Sequence, residues 1–308
     1  MPQSPNEISL KTLYEMSGYK KKLPYYKRAI QGWMGGAYLS LDGLFACVVA
    51  GGFLQTNPGL AKLVYAALFP VGLMLIVFGQ VDLFTSNCMI VSLGVYYDIK
   101  KNGSRCLSLL PNRNEANGTY SVLDIFFVLI NSWLWNLVGS LCIAYFLVYK
   151  GDFLVHGSTT AQYFVALAHK KFALSTDAVF LRSIAANWLV CLAVFFANGS
   201  KGALEKGFLI WFPIATFVGI GLEHSVANMF TIPCAILSSV DDSITWHAFF
   251  QNNIFQVTVG NFFGGLLVAV TFLLLIGELD VPRRVVLDSD DECLGKSSAT
   301  HNPLRLSV

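Results

Sequence analysis

Long apolar runs separated by short polar turns occupy most of the chain, and two of the runs lead into a polar string. The runs cover about residues 27–54, 60–78, 122–149, 178–198, 207–222 and 248–277. A helix crosses a bilayer with roughly 20 apolar residues, so the pattern predicts six crossings. The strings are Asp82-Leu83-Phe84-Thr85-Ser86-Asn87 and Glu223-His224-Ser225-Val226-Ala227-Asn228, each a carboxylate followed five residues later by an asparagine. Apolar sequence resumes after both, as Cys88 to Tyr97 and on to Ser239. Hydrocarbon tolerates a carboxylate or an imidazole only where it faces a cavity or finds partners. The second and fifth helices are therefore expected to be broken at the strings, with the breaks facing each other across a permeation path.

The rest of the chain divides around this frame. Residues 1–26, with Lys20, Lys21 and Lys22 in a row, read as a cytoplasmic lead holding an amphipathic turn on the headgroups. Residues 27–277 are the membrane domain, and 278–308 read as a polar cytoplasmic tail. A polar stretch runs from Asp98 to Tyr120, and the linker from Lys150 to Thr176 has room for a short interfacial helix around Ala161–Lys171. Asn136-x-x-Gly139-Ser140 in the third run matches Asn261-x-x-Gly264-Gly265 in the sixth, as the first string matches the second. The halves are thus about 27–149 and 178–277. With three crossings each, they must be inverted relative to one another, an arrangement used by transporters and channels.

Composition strengthens the membrane reading. Only 13% of residues are charged, against about 25% for a soluble domain. The formal charge of +2 is too small to suggest nucleic-acid binding. Its distribution fixes an orientation: with both termini cytoplasmic, 16 of the 21 Lys and Arg lie inside and five (Lys62, Lys150, Lys170, Lys171, Arg182) outside. Seven cysteines without a CxxC pair, mostly in apolar runs, act as small hydrophobes rather than as a disulfide or metal framework. The opening MPQSPNEISLKTLYEM has no signal-type apolar core, so the first membrane helix is expected to drive insertion, into the plasma or bacterial inner membrane.

The two strings, the helix-four segment Asn187-Trp188-Leu189-Val190-Cys191-Leu192-Ala193 and the helix-six pair Gly260-Asn261 together resemble the formate/nitrite transporter family. The match covers about 27–277 in the right order. The resemblance implies an all-α, aquaporin-like protomer, assembly as a homopentamer, and a pore through each protomer. It also implies small monovalent anions as substrates: formate, nitrite, acetate, lactate or hydrosulfide. The family's loop threonine falls on Thr85, its central histidine on His224, and its pore asparagines on Asn187 and Asn261. The outer aromatic constriction falls on Phe69 and Phe217, the inner apolar one on Leu73, Leu83 and Val190. The buried lysine of the first helix falls on Lys27, with Asp82 and Glu223 as its charge partners. Two positions depart from the pattern: Gln80-Val81 replaces a small pair before the aspartate, and Gln256 replaces a proline in helix six.

Physical chemistry alone points the same way. A helix restarted inside the membrane leaves free amides equivalent to about half a positive charge at its new N-terminus. Two such ends facing one cavity attract an anion. Apolar constrictions oppose it, because removing a carboxylate from water costs several kcal/mol even after relaxation. Entry as an anion, gain of a proton from water or from His224, and passage as the neutral acid resolve the conflict. No cofactor or metal is called for. A neutral-solute channel of the water or glycerol type is the alternative, but the paired Asn-Pro-Ala caps of that class are missing. An enzyme using Ser225 with His224 is disfavoured, since adjacent helical residues do not face each other.

Overall fold

The computed structural model describes residues 3–102, 120–155, 157–238 and 241–276. Most of the polar stretch before Tyr120 and the whole tail 278–308 lie outside the described residues. Every regular element within them is helical. Among the described residues, six helical stretches are long and apolar enough to cross a membrane: Tyr25–Gly51, Pro58–Phe78, Val122–Tyr149, Thr176–Gly199, Ala203–Ile220 and Trp246–Ile276.

Local sequence sets where each begins and ends. Ser4 and Glu7 form a capping box at the start of α1 (Pro5–Lys22), and Pro24 separates α1 from α2 (Tyr25–Gly51). Asn57 caps α3 (Pro58–Leu68), which has Pro58 at its first position. Pro70 cannot donate to the helix ladder, so the run is interrupted at Phe69 and restarts as α4 (Pro70–Phe78). α5 (Phe84–Asn102) follows after five non-helical residues, 79–83. Ser121 and Asp124 form a second capping box at α6 (Val122–Cys142), which continues into a π-helical segment, Ile143–Tyr149. Ser158 and Ser175 cap α7 (Thr159–Phe172) and α8 (Thr176–Gly199). α9 (Ala203–Ile220) stops at Gly221, and α10 (Ser225–Leu237) restarts at the second string. A short α11 (Trp246–Phe249) passes through π-helical Phe250–Ile254 into α12 (Phe255–Ile276).

Glycine lets two pairs of helices touch backbone to backbone. A Cβ on Gly36 of α2 would lie 2.1 Å from the Asn136 carbonyl oxygen of α6, and one on Gly139 would lie 2.1 Å from that of Trp33. On α12, a Cβ at Gly264 would come within 2.3 Å of the Ile184 carbonyl oxygen of α8. Small residues drive helix association this way where apolar side chains gain nothing by leaving lipid. Large apolar side chains such as Phe126, Ile130, Phe212 and Leu274 stay exposed on the outside.

The segment before the first crossing is a full helix with one face packed on the bundle. As α1 it packs against α5 and α8, with Leu10 and Leu13 fully buried and Ser9 Oγ donating to Phe195 O at 2.6 Å. The run Lys20-Lys21-Lys22 points to a surface segment, yet one face of the helix is buried against helices distant in sequence. The linker helix, α7, is likewise packed against α2 and α10.

Candidate permeation site

The two polar strings adopt the same local structure. α4 ends in a left-handed cap at Gln80 (φ +51°), with Gln80 N–H donating to Val77 O at 3.3 Å and Val81 N–H to Ile76 O at 3.1 Å. α9 ends in the same cap at Gly221 (φ +85°), with Gly221 N–H to Val218 O at 3.0 Å and Leu222 N–H to Phe217 O at 3.1 Å. This closing pattern satisfies the last carbonyls of a helix and normally uses glycine. The departure at Gln80 therefore keeps the shape of the turn, at a backbone cost of about 1–2 kcal/mol.

One asparagine then bridges each gap. Asn136 Nδ2 donates to Asp82 O (2.9 Å) and Gly32 O (2.8 Å), while its Oδ1 accepts from Phe84 N–H (2.8 Å). Asn261 Nδ2 donates to Glu223 O (3.0 Å) and Ser183 O (2.8 Å), while its Oδ1 accepts from Ser225 N–H (2.8 Å). In both places a carboxamide from a neighbouring helix takes up the first amide of the restarted helix and the carbonyl just before the break. These groups would otherwise be orphaned in an apolar interior.

The carboxylates are buried and paired. Asp82 accepts from Asn87 Nδ2 at 3.0 and 3.1 Å and forms an ion pair with Lys20 of α1. Glu223 accepts from Asn228 Nδ2 at 2.7 Å, from Asn253 Nδ2 at 3.2 Å and from Lys171 Nζ of α7 at 3.1 Å. Lys27, expected to be the charge partner of both, is exposed instead. The neighbouring Arg28 turns inward and donates to Lys21 O and Leu23 O. The ammonium groups come from the helices α1 and α7, placed directly ahead of α2 and α8. Lys20, Lys171 and Asn253 were not singled out from the sequence. The available signal was a basic cluster, Lys20-Lys21-Lys22 or His169-Lys170-Lys171, preceding each half's first helix.

Between the two breaks lies the His224–Thr85 pair. His224 Nε2 is 3.0 Å from Thr85 Oγ1, and both residues are buried. His224 also caps α10, its Nδ1 accepting from Ala227 N–H at 3.1 Å. This second contact assigns the tautomer: Nδ1 is the acceptor, so Nε2 carries the hydrogen and donates to Thr85. A proton added at Nδ1 would set N–H against N–H and break the cap. The site thus holds a neutral imidazole acting as donor, through Nε2–H and the threonine hydroxyl. Asn187 Nδ2 donates to Thr85 O (3.0 Å) and Asn261 O (2.6 Å), so both asparagines on the site are engaged with backbone.

A cavity of about 410 Å³ opens above this pair, lined by Lys62, Lys170, Lys171 and Arg182 and reaching Phe69, Phe217 and His224. The Phe69 and Phe217 rings meet edge to face with centroids 6.0 Å apart, and Phe217 lies 5.8 Å from the His224 ring. Leu73, Leu83 and Val190 are buried in the surrounding core. Beyond the membrane segments, His169 of α7 contacts Asp241 at 2.6 Å. The Asp241 carboxyl is held below the usual carboxylate range by hydrogen bonds from Ser243, with His169 contributing. Gln256 is half-buried, and its Oε1 finds no partner.

Comparison with known proteins places this architecture. The chain matches the family model described as formate/nitrite transporter over residues 7–110 and 114–275. It is 39% identical over 261 residues to a probable formate transporter of Methanothermobacter thermautotrophicus, covering 80% of this chain and 87% of that one. It is 32% identical to the formate channel BtFdhC of Bacillus thuringiensis, covering 77% and 81% of the two chains. It is 31% identical to the nitrite transporter NirC of Salmonella typhimurium, covering 76% and 77%. Among solved structures, an FNT family ion channel superposes with a TM-score of 0.74 at 24% identity, over 87% of this chain and 98% of the other. A pentameric formate channel with formate bound gives 0.67 at 24% identity, over 82% and 97%.

Proposed function

The chain belongs to the formate/nitrite transporter family and is a multi-pass integral membrane protein, and on that footing we propose that it passes small monovalent anions together with a proton. The conduit runs through each protomer and has its polar waist at His224 and Thr85. The single observation that carries this reading is the donor pair formed where two restarted helices meet, below a cavity rimmed by four cationic side chains.

The order of events follows from the charges. Lys62, Lys170, Lys171 and Arg182, of which Lys171 is paired with Glu223, concentrate anions in the vestibule. The edge-to-face pair Phe69–Phe217 then bars a hydrated ion. A bare carboxylate would lose hydration worth several kcal/mol there, whereas its conjugate acid loses little. Protonation in the vestibule, from water, lets the neutral acid pass the rings. The Nε2–H of His224, relayed by the Thr85 hydroxyl, donates a hydrogen bond to it at the waist. Leu73, Leu83 and Val190 form the second apolar constriction on the far side. Asn187 and Asn261 position the waist through the backbone; Asp82, Asn87, Glu223 and Asn228 hold the breaks closed.

Several finer features belong to the same proposal. Helices two and five are the broken pair of an aquaporin-like inverted repeat, a reading supported by the matching caps at Gln80 and Gly221 and the matching clamps at Asn136 and Asn261. The repeat unit extends to include α1 and α7, which supply Lys20 and Lys171 to corresponding carboxylates. Both termini face the cytoplasm of a plasma or bacterial inner membrane, and the cationic vestibule faces outward. Five protomers assemble, as in the similar pentameric formate channel. An enzymatic role is disfavoured because both imidazole nitrogens are engaged, with Thr85 and Ala227, leaving none for Ser225.

Uptake of labelled formate, nitrite, lactate and glycerol into proteoliposomes tests the reading. Entry of the anions, favoured by an acidic exterior, with exclusion of glycerol is the expected result. Free passage of glycerol supports the neutral-solute channel instead.

A further inference from the structure

One charged-type side chain in the membrane domain takes no part in the arrangement above. Asp42 lies on α2, 2% exposed, and among the described residues no side chain donates a hydrogen bond to either of its carboxyl oxygens. It differs in this from Asp82 and Glu223, which are equally buried but held by lysines and asparagines.

The surroundings of Asp42 are close and uncharged. Its carboxyl packs on Gly72 of α4, where an added Cβ would stand 2.8 Å from Oδ2 and 3.1 Å from the Asp42 Cβ. Gly72 is the third residue after the Phe69–Pro70 interruption, and its backbone N–H is directed at the carboxyl. α4 offers no titratable side chain. On α2, Tyr38 stands one turn before Asp42, and Cys47, further along the helix, lies against the hydroxyl of Tyr65 from α3. One layer further come Tyr163 of α7, beside Tyr65, and Cys234 of α10, beside Cys47. The remaining packed element, α6 with its π-helical extension, carries Asp124 near Lys21 at 3.6 Å, the half-buried Cys142, and Tyr145 and Tyr149 against Lys150. Among the described residues no lysine, arginine or histidine balances Asp42: Lys62 of α3 and Lys170 of α7 line the vestibule, Lys171 pairs with Glu223 and His169 with Asp241.

We propose that Asp42 is a proton-binding site in the wall of the membrane domain, whose neutral form holds α4 against α2. An ionised carboxylate there would be buried without a counter-charge, a state that costs several kcal/mol and is relieved by taking up a proton. The vestibule, which Tyr65 and Phe69 line, is the proton's source. The consequence bears on the pore because Phe69 immediately precedes α4 and α4 carries Leu73, one residue from the contact with Asp42. Loss of the proton would drive water or a cation between the helices and displace both constriction residues.

The infrared spectrum of the full-length protein in lipid vesicles tests this without relying on transport, so its failure is separate from failure of the His224 reading. A carbonyl stretch of a protonated carboxylic acid is expected in the wild type, bleaching as the pH is raised and absent from Asp42→Asn. If the Asn variant does not assemble, Asp42→Leu serves for the same subtraction, and the bleaching itself needs no variant. In formate uptake, D42N fixes the neutral state, so it should match the wild type at acid pH and retain more activity at alkaline pH. A wild-type spectrum lacking the band, a band that survives the substitution, or pH profiles that stay parallel would overturn the proposal.

Discussion

At the scale of single residues, the central question is what His224 contributes. Its Nδ1 is committed to the Ala227 amide and its Nε2 to Thr85, so the role proposed for the ring is to offer a hydrogen bond rather than a second proton. Asparagine can cap a helix and donate from Nδ2. His224→Asn should therefore slow formate uptake by about tenfold, the value of one hydrogen bond of about 1.5 kcal/mol, while leaving the pH profile unchanged. A proton-donating imidazole would instead lose its acid-dependent branch in this variant. Gln80 is a second point of leverage. It adopts a left-handed conformation that Gly221 occupies at no cost in the other half. Gln80→Gly is expected to raise stability by about 1 kcal/mol, read as a higher thermal midpoint in detergent. The strings, their five-residue spacing and the asparagine matches were legible because polar residues in an apolar run have so few acceptable environments. The lysines were not: Lys20 and Lys171 reach their carboxylates across 62 and 52 residues, and nothing local distinguishes them from surface charge. Lys27 looked suitable by position, yet it points outward while Arg28 turns in.

At the scale of elements, the short helices α1 and α7 change role. Each delivers one ammonium group to a buried carboxylate at the end of a broken turn. Removing only the cation leaves that carboxylate uncompensated, which costs ~3–5 kcal/mol in a buried site. Lys20→Met should accordingly reduce the yield of assembled protein sharply, and adding Asp82→Asn should restore most of it. Equal losses in the single and double variants would mean that the pair does not work this way. The glycine seams make an independent prediction. At Gly36 a side chain would meet the Asn136 carbonyl at 2.1 Å, and Asn136 bridges the first break. Gly36→Val is expected to destabilise by at least about 3 kcal/mol and to abolish transport with it, as measured by thermal unfolding and uptake. In the sequence Gly36 is one small residue within an apolar run. Sequence alone could not show that this position seats the residue that closes the neighbouring gap, because that depends on how α2 and α6 meet.

At the scale of the whole molecule, six crossings were countable from hydropathy alone, with boundaries within a few residues of the helices observed. The packing of α1 was not, since its weakly amphipathic sequence gives no sign of a partner. The cationic vestibule was also invisible as a unit: Lys62, Lys170, Lys171 and Arg182 were counted only as outward-facing charges, and they converge through the fold on one cavity. On the proposed reading, a neutral waist at the base of that cavity makes the protein a device for collecting anions and passing acids. The claim is tested most directly by the lumenal pH of proteoliposomes, followed with a trapped dye, after a pulse of external formate. Rapid acidification, abolished in vesicles without protein and unaffected by clamping the membrane potential, is the result this account predicts. Formate entry that leaves the lumenal pH unchanged and follows the membrane potential would contradict it, since the bare anion would then be the species that crosses.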